Sequence, residues 1–336
     1  MPTLNERAHE LANAMAADAD TLGITVSALD CGTRIIDCGV NTPGSIEAGR
    51  RLAEVCLAGL AEVSVEIGSA RLDPKRLEVE NDEPLNDWSL FAEEFTVVNV
   101  ATANPIAACM ASQYAGWELK GEKFFAMGSG PIRAAACREE LFKDIGNCER
   151  PPHCVGVLET SRMPPQDVCL EIAEKCGVAP NCITLCIART ASQAGTLQIT
   201  ARSVETSLHK LHVLGFDLRR IASGHGSAPL PPVASDDLTA IGWTNDAILY
   251  GAFVHLDVRG DDASLEVLGP QVPSNSSRDY GRPFAEIFAS YSNDFYRIDP
   301  QLFSPAVVRL RNIDTGNSFL FGKTSHNVLA KSFVKK

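Results

Sequence analysis

Residues 198–212 read QITARSVETSLHKLH, and the interpretation of the whole chain starts from this stretch. At about 100° per residue, a helix through it carries two neighbouring stripes. One stripe is apolar, as a core face should be, and consists of Leu197, Ala201, Val204, Leu208 and Leu211. The other is polar, lies within roughly 80° of arc, and consists of Gln198, Arg202, Glu205, His209 and His212.

The polar stripe borders the apolar one, whereas an ordinary amphipathic helix places its charges opposite the core. A border position is typical of a cleft wall. Arg202 and Glu205 are three residues apart and can touch. Two interpretations stay open: a surface helix with one exposed ion pair worth about 0.3 kcal/mol, or a carboxylate held by an arginine at a pocket.

The composition bounds the class of protein. The chain has 336 residues, 45% of them hydrophobic and 21% charged, which predicts a sizeable core in one large domain or two. A formal net charge of −12 argues against nucleic-acid binding and against an anionic membrane surface. We find neither an apolar run of about 18 residues nor a secretory signal, and therefore expect a cytoplasmic protein.

The eleven cysteines are irregularly spaced and form no CxxC pair. No set of them has the spacing of zinc ligands. Reduced thiols in the core of a cytosolic protein are the better interpretation.

Helical and extended patterns alternate along the chain. The first helix is predicted over residues 4–22, with Thr3 and Glu6 as a capping box and Gly23 as its C-terminal residue. Two strands around Asp30-Cys31-Gly32 follow. The alternation predicts an α/β fold with crossover connections. The Pro151-Pro152 pair is the best boundary, which divides the chain into domains 1–150 and 151–336.

A glycine-containing turn is the first candidate for ligand binding. Gly128, Ser129 and Gly130 follow a predicted strand and precede a short helix with Arg133 in its first turn. Free amides at such a turn can hold an anion, and Arg133 is the first candidate for a phosphate or carboxylate. The segment is neither a P-loop nor GxGxxG, so a purely structural turn stays open.

Two further polar segments attract attention. Residues 224–232, GHGSAPLPP, read as an extended loop that lines a pocket or serves as a linker. Thr244, Asn245 and Asp246 place three polar side chains in a row before a predicted strand, and an ordinary turn is the alternative there.

Common catalytic motifs are missing from the sequence. It contains neither the GxSxG elbow of serine hydrolases nor the HExxH motif of zinc hydrolases, and His209 and His212 have i,i+3 spacing. We therefore predict no metal site.

Several stretches read together resemble the methenyltetrahydromethanopterin cyclohydrolase family. They are IDCGV (36–40), FAMGSGP (125–131), ARSVET (201–206), TND (244–246), ILYG (248–251), DYGRPF (279–284) and DFYRIDP (294–300). They run in order over nearly the whole chain, and the combination is specific although no single stretch is. The acidic segment 72–87 departs from the pattern and resembles an insertion.

The resemblance implies two α/β domains with a deep pocket between them, no metal or prosthetic group, and a homo-oligomer, a dimer or trimer. It also implies an enzyme that interconverts a cationic 5,10-methenyl pterin with its N5-formyl form, using water. The catalytic residues of the family carry over onto Glu205, as the group that activates water, and Arg202, as the group that positions it.

The resemblance, together with the patterns above, gives a set of expected substrate contacts. They are Gly128, Ser129, Gly130, Arg133, Ser192, Gln198, Thr244, Asn245, Asp246, Tyr280 and Phe284. Two alternatives are kept: a cyclohydrolase acting on methenyl-tetrahydrofolate, and a pterin-binding protein without turnover.

Overall fold

A computed structural model describes residues 2–67, 95–292 and 294–333. It divides the chain into two compact units: unit 1 comprises residues 1–63 and 106–199, and unit 2 comprises residues 64–105 and 200–336. The predicted division after residue 150 does not coincide with these units, because Pro151 and Pro152 lie inside unit 1 and lead into one of its strands. The predicted insertion at 72–87 lies outside the described residues.

Unit 1 is built on a six-stranded mixed sheet. Its strands are β1 (Thr25–Ala28), β2 (Arg34–Gly39), β5 (Trp117–Gly121), β6 (Phe124–Ser129), β7 (Cys154–Glu159) and β8 (Ile183–Ala188), in the order β1-β2-β8-β7-β6-β5. The three central strands β2, β8 and β7 are parallel, and the outer pairs are antiparallel.

Helices cover both faces of this sheet. They are α1 (Leu4–Ala17), α2 (Ala19–Leu22), α3 (Ile46–Cys56), a π-helix (Ile106–Gln113), α4 (Ile132–Ala136), α5 (Leu141–Ile145), α6 (Gln166–Cys176) and α7 (Gln193–Thr200). Side chains of α1 and α3 share one core cluster with Ile36 and Cys186, and those of α4 and α6 share another with Ile35 and Leu185. Because successive side chains of a strand point to opposite faces, every residue of β8 is buried.

Unit 2 is built on a second six-stranded mixed sheet. Its strands are β3 (Glu62–Glu66), β4 (Val97–Thr102), β9 (Ile221–Pro229), β10 (Phe253–Val258), β11 (Val307–Asn312) and β12 (Ser318–Gly322), in the order β12-β11-β10-β9-β4-β3. Its helices are α8 (Ser203–Val213), α9 (Asp237–Gly251), α10 (Asp262–Leu268), α11 (Phe284–Ser290) and α12 (His326–Phe333). Val254, Leu256 and Val258 of β10 are fully buried, and α8 packs against β9 and β10.

The predicted class is confirmed, and so are both ends of the first helical stretch, but residues 4–22 form two helices, α1 and α2, rather than one. Both units combine strands with helices, as an α/β fold requires. The Thr3 hydroxyl accepts from the amide of Glu6, and the Glu6 carboxylate accepts from the amide of Thr3. Gly23 ends α2 with φ +66°, a left-handed conformation that glycine adopts without penalty.

Two predicted loops are wrong. Most of the stretch 224–232 belongs to β9, a strand inside the sheet of unit 2, which continues to Pro229. Thr244, Asn245 and Asp246 lie within α9, and the strand that follows begins only at Phe253. Glycine and proline suggested a loop at 224–232, and three successive polar side chains suggested a turn at 244–246, but packing of neighbouring elements fixes a strand and a helix there.

The cysteines are not all reduced. Cys137 and Cys148 form a disulfide across a Cα–Cα distance of 5.5 Å, which is within the range that such a bridge requires. The other nine cysteines lie outside this disulfide, and seven of them are buried. The prediction of reduced thiols is therefore wrong for this one pair.

Candidate active site

The stretch 198–212 is two helices rather than one. α7 ends at Thr200, and α8 begins at Ser203. Arg202 is the residue that precedes α8, with φ −94° and ψ 11°, and its carbonyl accepts the first bond of that helix from Thr206 at 2.9 Å. No glycine or proline marks this break, which lies where the chain passes from unit 1 to unit 2.

The break places Arg202 and Glu205 in the first turn of α8, at the N-cap and third helical positions. Glu205 is 4% exposed and Arg202 is 6% exposed. A carboxylate in the first turn is favoured by the helix dipole. Because both side chains are buried, the interpretation of this stretch as an exposed ion pair is wrong. Buried charges require compensation by partners nearby.

Two glycines of β9 bring this first turn close to the sheet. A Cβ atom on Gly226 would lie 2.4 Å from Oγ of Ser203, and one on Gly224 would lie 2.8 Å from Cγ1 of Val204. Both distances are shorter than any real contact of a Cβ atom. The glycines that suggested a loop are thus needed so that α8 can lie directly on the strand.

The apolar stripe predicted for this stretch is confirmed. Val204, Leu208 and Leu211 of α8 are fully buried, as are Leu197 and Ala201 before it. The polar stripe is divided by the break: Glu205, His209 and His212 lie on α8, while Gln198 is a fully buried residue of α7. His209 and His212 are half-buried.

The glycine turn of unit 1 is a structural element. Gly130 has φ +88°, and its amide donates to the carbonyl of Ser112 at 2.8 Å. Gly128 and Ser129 are buried residues at the end of β6, and the Ser129 hydroxyl donates to the carbonyl of Val157 at 3.2 Å. α4, which follows, has only five residues.

Arg133 is enclosed within unit 1. Its guanidinium binds both carboxylate oxygens of Glu139 at 2.8 and 2.5 Å and donates to the carbonyl of Met110 at 2.8 Å. The rings of Tyr114 and Phe142 lie 5.0 and 5.5 Å from it. With these partners, Arg133 holds parts of unit 1 together, and its guanidinium is already bound by a carboxylate. Glu139, six residues later, gave no signal in the sequence.

Ser192 caps the start of α7. Its hydroxyl accepts from the amide of Gly195 at 3.0 Å and donates to the carbonyl of Arg189 at 2.8 Å. This local role accounts for both bonds that the hydroxyl makes here.

The polar trio of α9 is directed into the protein. Thr244 and Asn245 donate to carbonyls one turn earlier, at 2.9 and 2.8 Å. Asp246 is fully buried and accepts from the amide of Phe284 at 2.7 Å and from the hydroxyl of Ser332 at 2.5 Å. Burial raises the pKa of Asp246 to about 7. Asp246 therefore ties α11 and α12 to α9.

The two aromatic candidates differ in exposure. Tyr280 is half-buried, and its ring centroid lies 5.0 Å from that of Tyr250. Phe284 is fully buried within a cluster that includes Phe288, Phe295 and Phe303. Of the two, Tyr280 is the one that keeps some exposure, although its hydroxyl oxygen is buried.

Lys210 of α8 was missed in the sequence. It is 1% exposed, and its Nζ donates to the carbonyl of Gln301 at 2.6 Å. A lysine in a helical pattern ordinarily indicates a solvated face, so only the structure identifies it.

Among the described residues we find neither a metal-holding group of side chains nor a helix that could span a membrane. In ranges 2–67, 95–292 and 294–333, no group of three or more His, Cys, Asp or Glu side chains is arranged to hold a metal ion. Within the same part of the chain, every helix is too short or too polar to cross a bilayer.

The comparisons with known proteins decide the family. A family model described as Cyclohydrolase (MCH) matches residues 3–333. The chain is 42% identical to the methenyltetrahydromethanopterin cyclohydrolase of Methylobacillus flagellatus over 332 residues, 99% of this chain and 95% of that protein. The chain belongs to this cyclohydrolase family.

Further relatives extend the match. The proteins of the same name from Xanthobacter autotrophicus and Methanospirillum hungatei are 46% and 36% identical, over 96% and 99% of this chain and 90% and 99% of theirs. The chain is therefore an enzyme, a cyclohydrolase, and the resemblance inferred from its short motifs is confirmed.

Proposed function

We propose that this cyclohydrolase interconverts 5,10-methenyl-tetrahydromethanopterin plus water with N5-formyl-tetrahydromethanopterin, and that Glu205 and Arg202 are its catalytic residues. The support is one observation combined with the names of its relatives. Two side chains of opposite charge, each less than a tenth exposed, stand three residues apart at the start of α8.

The chemistry requires a base more than an electrophile. The methenyl carbon bridges N5 and N10 and shares their positive charge, so it is already reactive toward nucleophiles, whereas neutral water attacks slowly. A carboxylate that takes the proton of the water during attack accelerates the step by about 10²–10⁴-fold. It also places negative charge beside the cation in a site poor in water.

Glu205 serves twice in this scheme. Attack forms a neutral tetrahedral adduct and leaves a proton on Glu205. The C–N10 bond then breaks, N10 takes the proton back from Glu205, and the hydroxyl proton of the adduct leaves to solvent as the formyl carbonyl forms. One proton is released for each substrate opened, which balances the loss of the positive charge.

Arg202 has two roles in this scheme: it orients Glu205, and it binds the reacting oxygen. Its planar guanidinium can hold the Glu205 carboxylate in one rotamer and donate a hydrogen bond to the water or to the developing hydroxyl oxygen. A lysine would supply the charge without that fork.

We further propose that Tyr280 contacts the flat pterin, since aromatic rings suit such ligands and the residue is only half-buried. We also propose a cytoplasmic homo-oligomer that works without a metal or prosthetic group.

The decisive experiment follows the methenyl absorbance after the purified chain is mixed with each of two substrates. We expect rapid loss of absorbance with methenyl-tetrahydromethanopterin and a much smaller rate with methenyl-tetrahydrofolate. A reversed preference would establish the folate enzyme. Binding without absorbance loss for either substrate would establish a pterin carrier.

A further inference from the structure

Lys210 carries a charge in a place where charge is costly. It lies on α8, five residues after Glu205, and is 1% exposed. Its Nζ donates to the carbonyl of Gln301 at 2.6 Å and to the hydroxyl of Ser276 at 3.3 Å. Burial lowers the pKa of Lys210 to about 8, although the nearby carboxylate of Asp299 acts to raise it.

The ammonium is a poor way to stabilise the fold. A buried charge loses its hydration, and well-packed apolar residues of similar volume often stabilise a protein more than a buried ion does. Buried polar groups instead help, in some proteins, to select one arrangement of the chain among several. The arrangement that Lys210 selects can be traced through its acceptors.

The acceptors belong to one hydrogen-bonded segment. The amide of Gln301 donates to Asp299 at 3.1 Å, and the same carboxylate accepts from the hydroxyl of Ser277 at 2.8 Å and from the amide of Arg278 at 3.2 Å. Residues 276–278 and 299–301 are therefore locked together beside the Lys210 ammonium.

This segment continues directly into Tyr280. The amide of Asp279 donates to the Ser277 hydroxyl at 3.1 Å, and the Asp279 carboxylate accepts from the amide of Asp299 at 2.9 Å. The amide of Tyr280 donates to the carbonyl of Ser277 at 3.3 Å. A displacement of the segment relative to α8 would therefore displace Tyr280 as well.

We propose that Lys210 is a positioning residue of the cyclohydrolase reaction, which holds the loop carrying Tyr280 at a fixed place relative to Glu205 on the same helix. This inference rests on the proposed function, in which Glu205 activates water while Tyr280 contacts the pterin. The ammonium suits the task because it fixes two acceptors at once through directional bonds, whereas an apolar side chain of equal length only fills the space.

The test compares Lys210→Met with Lys175→Met as matched control. Lys175 pairs with Glu171 on α6 of unit 1, away from the proposed machinery. KM and kcat are measured for methenyl-tetrahydromethanopterin, and thermal unfolding is followed in parallel. We expect Lys210→Met to raise KM about tenfold with an unfolding midpoint no lower than that of the wild type, and the control to match the wild type in both.

A purely structural role would give a different pattern: a lower unfolding midpoint and less active protein, with KM within twofold of the wild type. That result overturns the proposal. Should Lys210→Met fail to fold, Ser276→Ala removes the longer contact, together with the bond that the Ser276 hydroxyl donates to the carbonyl of Gln271 at 2.9 Å. We expect it to raise KM about two- to fivefold at an unchanged unfolding midpoint. An unchanged KM in that variant contradicts the proposal equally.

Turnover by the wild type distinguishes a failure of the Lys210 proposal from a failure of the proposed function. Without turnover of the methenyl substrate by the wild type, the proposed function itself fails. With normal turnover in the wild type and an unchanged KM in the variants, only the role of Lys210 fails.

Discussion

Each unit contains a buried arginine beside the first turn of a helix, with a glutamate a few residues later, and the two pairs differ in their setting. In unit 1, Arg133 has both oxygens of Glu139, a main-chain carbonyl and two aromatic rings around it. In unit 2, Arg202 and Glu205 stand within one turn of α8, and two glycines clear space for that turn on β9.

The difference shows that residue type and burial alone do not identify a site. Arg133 was the first candidate for binding a phosphate or carboxylate, yet its partners hold the whole guanidinium within unit 1. The Arg202–Glu205 pair differs in what lies beneath it, because β9 has glycines at 224 and 226 under the first turn of α8. Glycine weakens a strand by removing side-chain packing, and here it lets that turn lie close to the sheet.

The largest contrast is expected between two glutamates. Glu205→Gln should reduce kcat by about 10²–10⁴-fold, because an amide cannot take the proton from water. Glu139→Gln should destabilise the fold by about 3 kcal/mol, since Arg133 loses its buried counter-charge, but should leave kcat per folded molecule close to that of the wild type. Initial rates and denaturant unfolding measure both. Equal losses of kcat in the two variants would remove the distinction drawn here.

The arginines provide the next contrast. Arg202→Lys should lower kcat by about 10²-fold, because a point charge replaces a planar fork that holds the reacting oxygen. Arg133→Lys should chiefly reduce the free energy of unfolding, by about 2 kcal/mol, through lost hydrogen bonds. A fully active Arg202→Lys enzyme would mean that the fork has no part in catalysis.

Gly226→Ala tests the construction beneath α8. The added methyl group would meet Oγ of Ser203 and would also lie 2.9 Å from Cγ2 of Val204 and 3.1 Å from Cβ of Ser203. Rotation of the hydroxyl does not relieve the last two contacts, so the first turn should shift at a cost of about 1–3 kcal/mol, and kcat should fall by about tenfold through misplacement of Glu205. Ser223→Ala, on the same strand, is the control, since it loses only a bond to Asp257. Wild-type kcat in Gly226→Ala would show that the close approach is not required.

The effect expected at Asp246 is confined to stability and leaves turnover unchanged. Burial raises the pKa of Asp246 to about 7, above the ordinary value near 3.9, so the folded protein binds more protons than the unfolded chain between these values. The free energy of unfolding should therefore fall as pH rises from about 4 to 7, by at most roughly 1.4 kcal/mol per pH unit. Asp246→Asn should flatten that slope in urea titrations at several pH values. An identical slope in the variant would exclude Asp246 as its source.

The sequence predicted what local rules determine. The capping box at Thr3, the left-handed Gly23 and the α/β alternation all depend on short-range chemistry, and the apolar face of Val204, Leu208 and Leu211 follows from helical periodicity. Order and combination of short motifs identified the family, although each motif alone was weak.

The wrong predictions share one physical cause: contacts with residues distant in the sequence decide the structure against local sequence preferences. No glycine or proline separates α7 from α8, so no local sign in the sequence marks the break that the structure shows at residues 201–202. Gly224 and Gly226 indicated a loop, because the helix that needs them lies elsewhere in the sequence. Lys210 gave no signal in the sequence, since its acceptors are 66 and 91 residues further along the chain.

The most direct test of the central claim is a single-turnover mixing experiment with methenyl-tetrahydromethanopterin and an excess of Glu205→Gln protein. We expect the substrate to bind and its methenyl absorbance to persist. The control is Glu266→Gln, altered at an exposed glutamate of α10, and an excess of it should remove the absorbance as the wild type does. Rapid loss of absorbance on the Glu205→Gln protein would contradict the claim that this carboxylate activates the water.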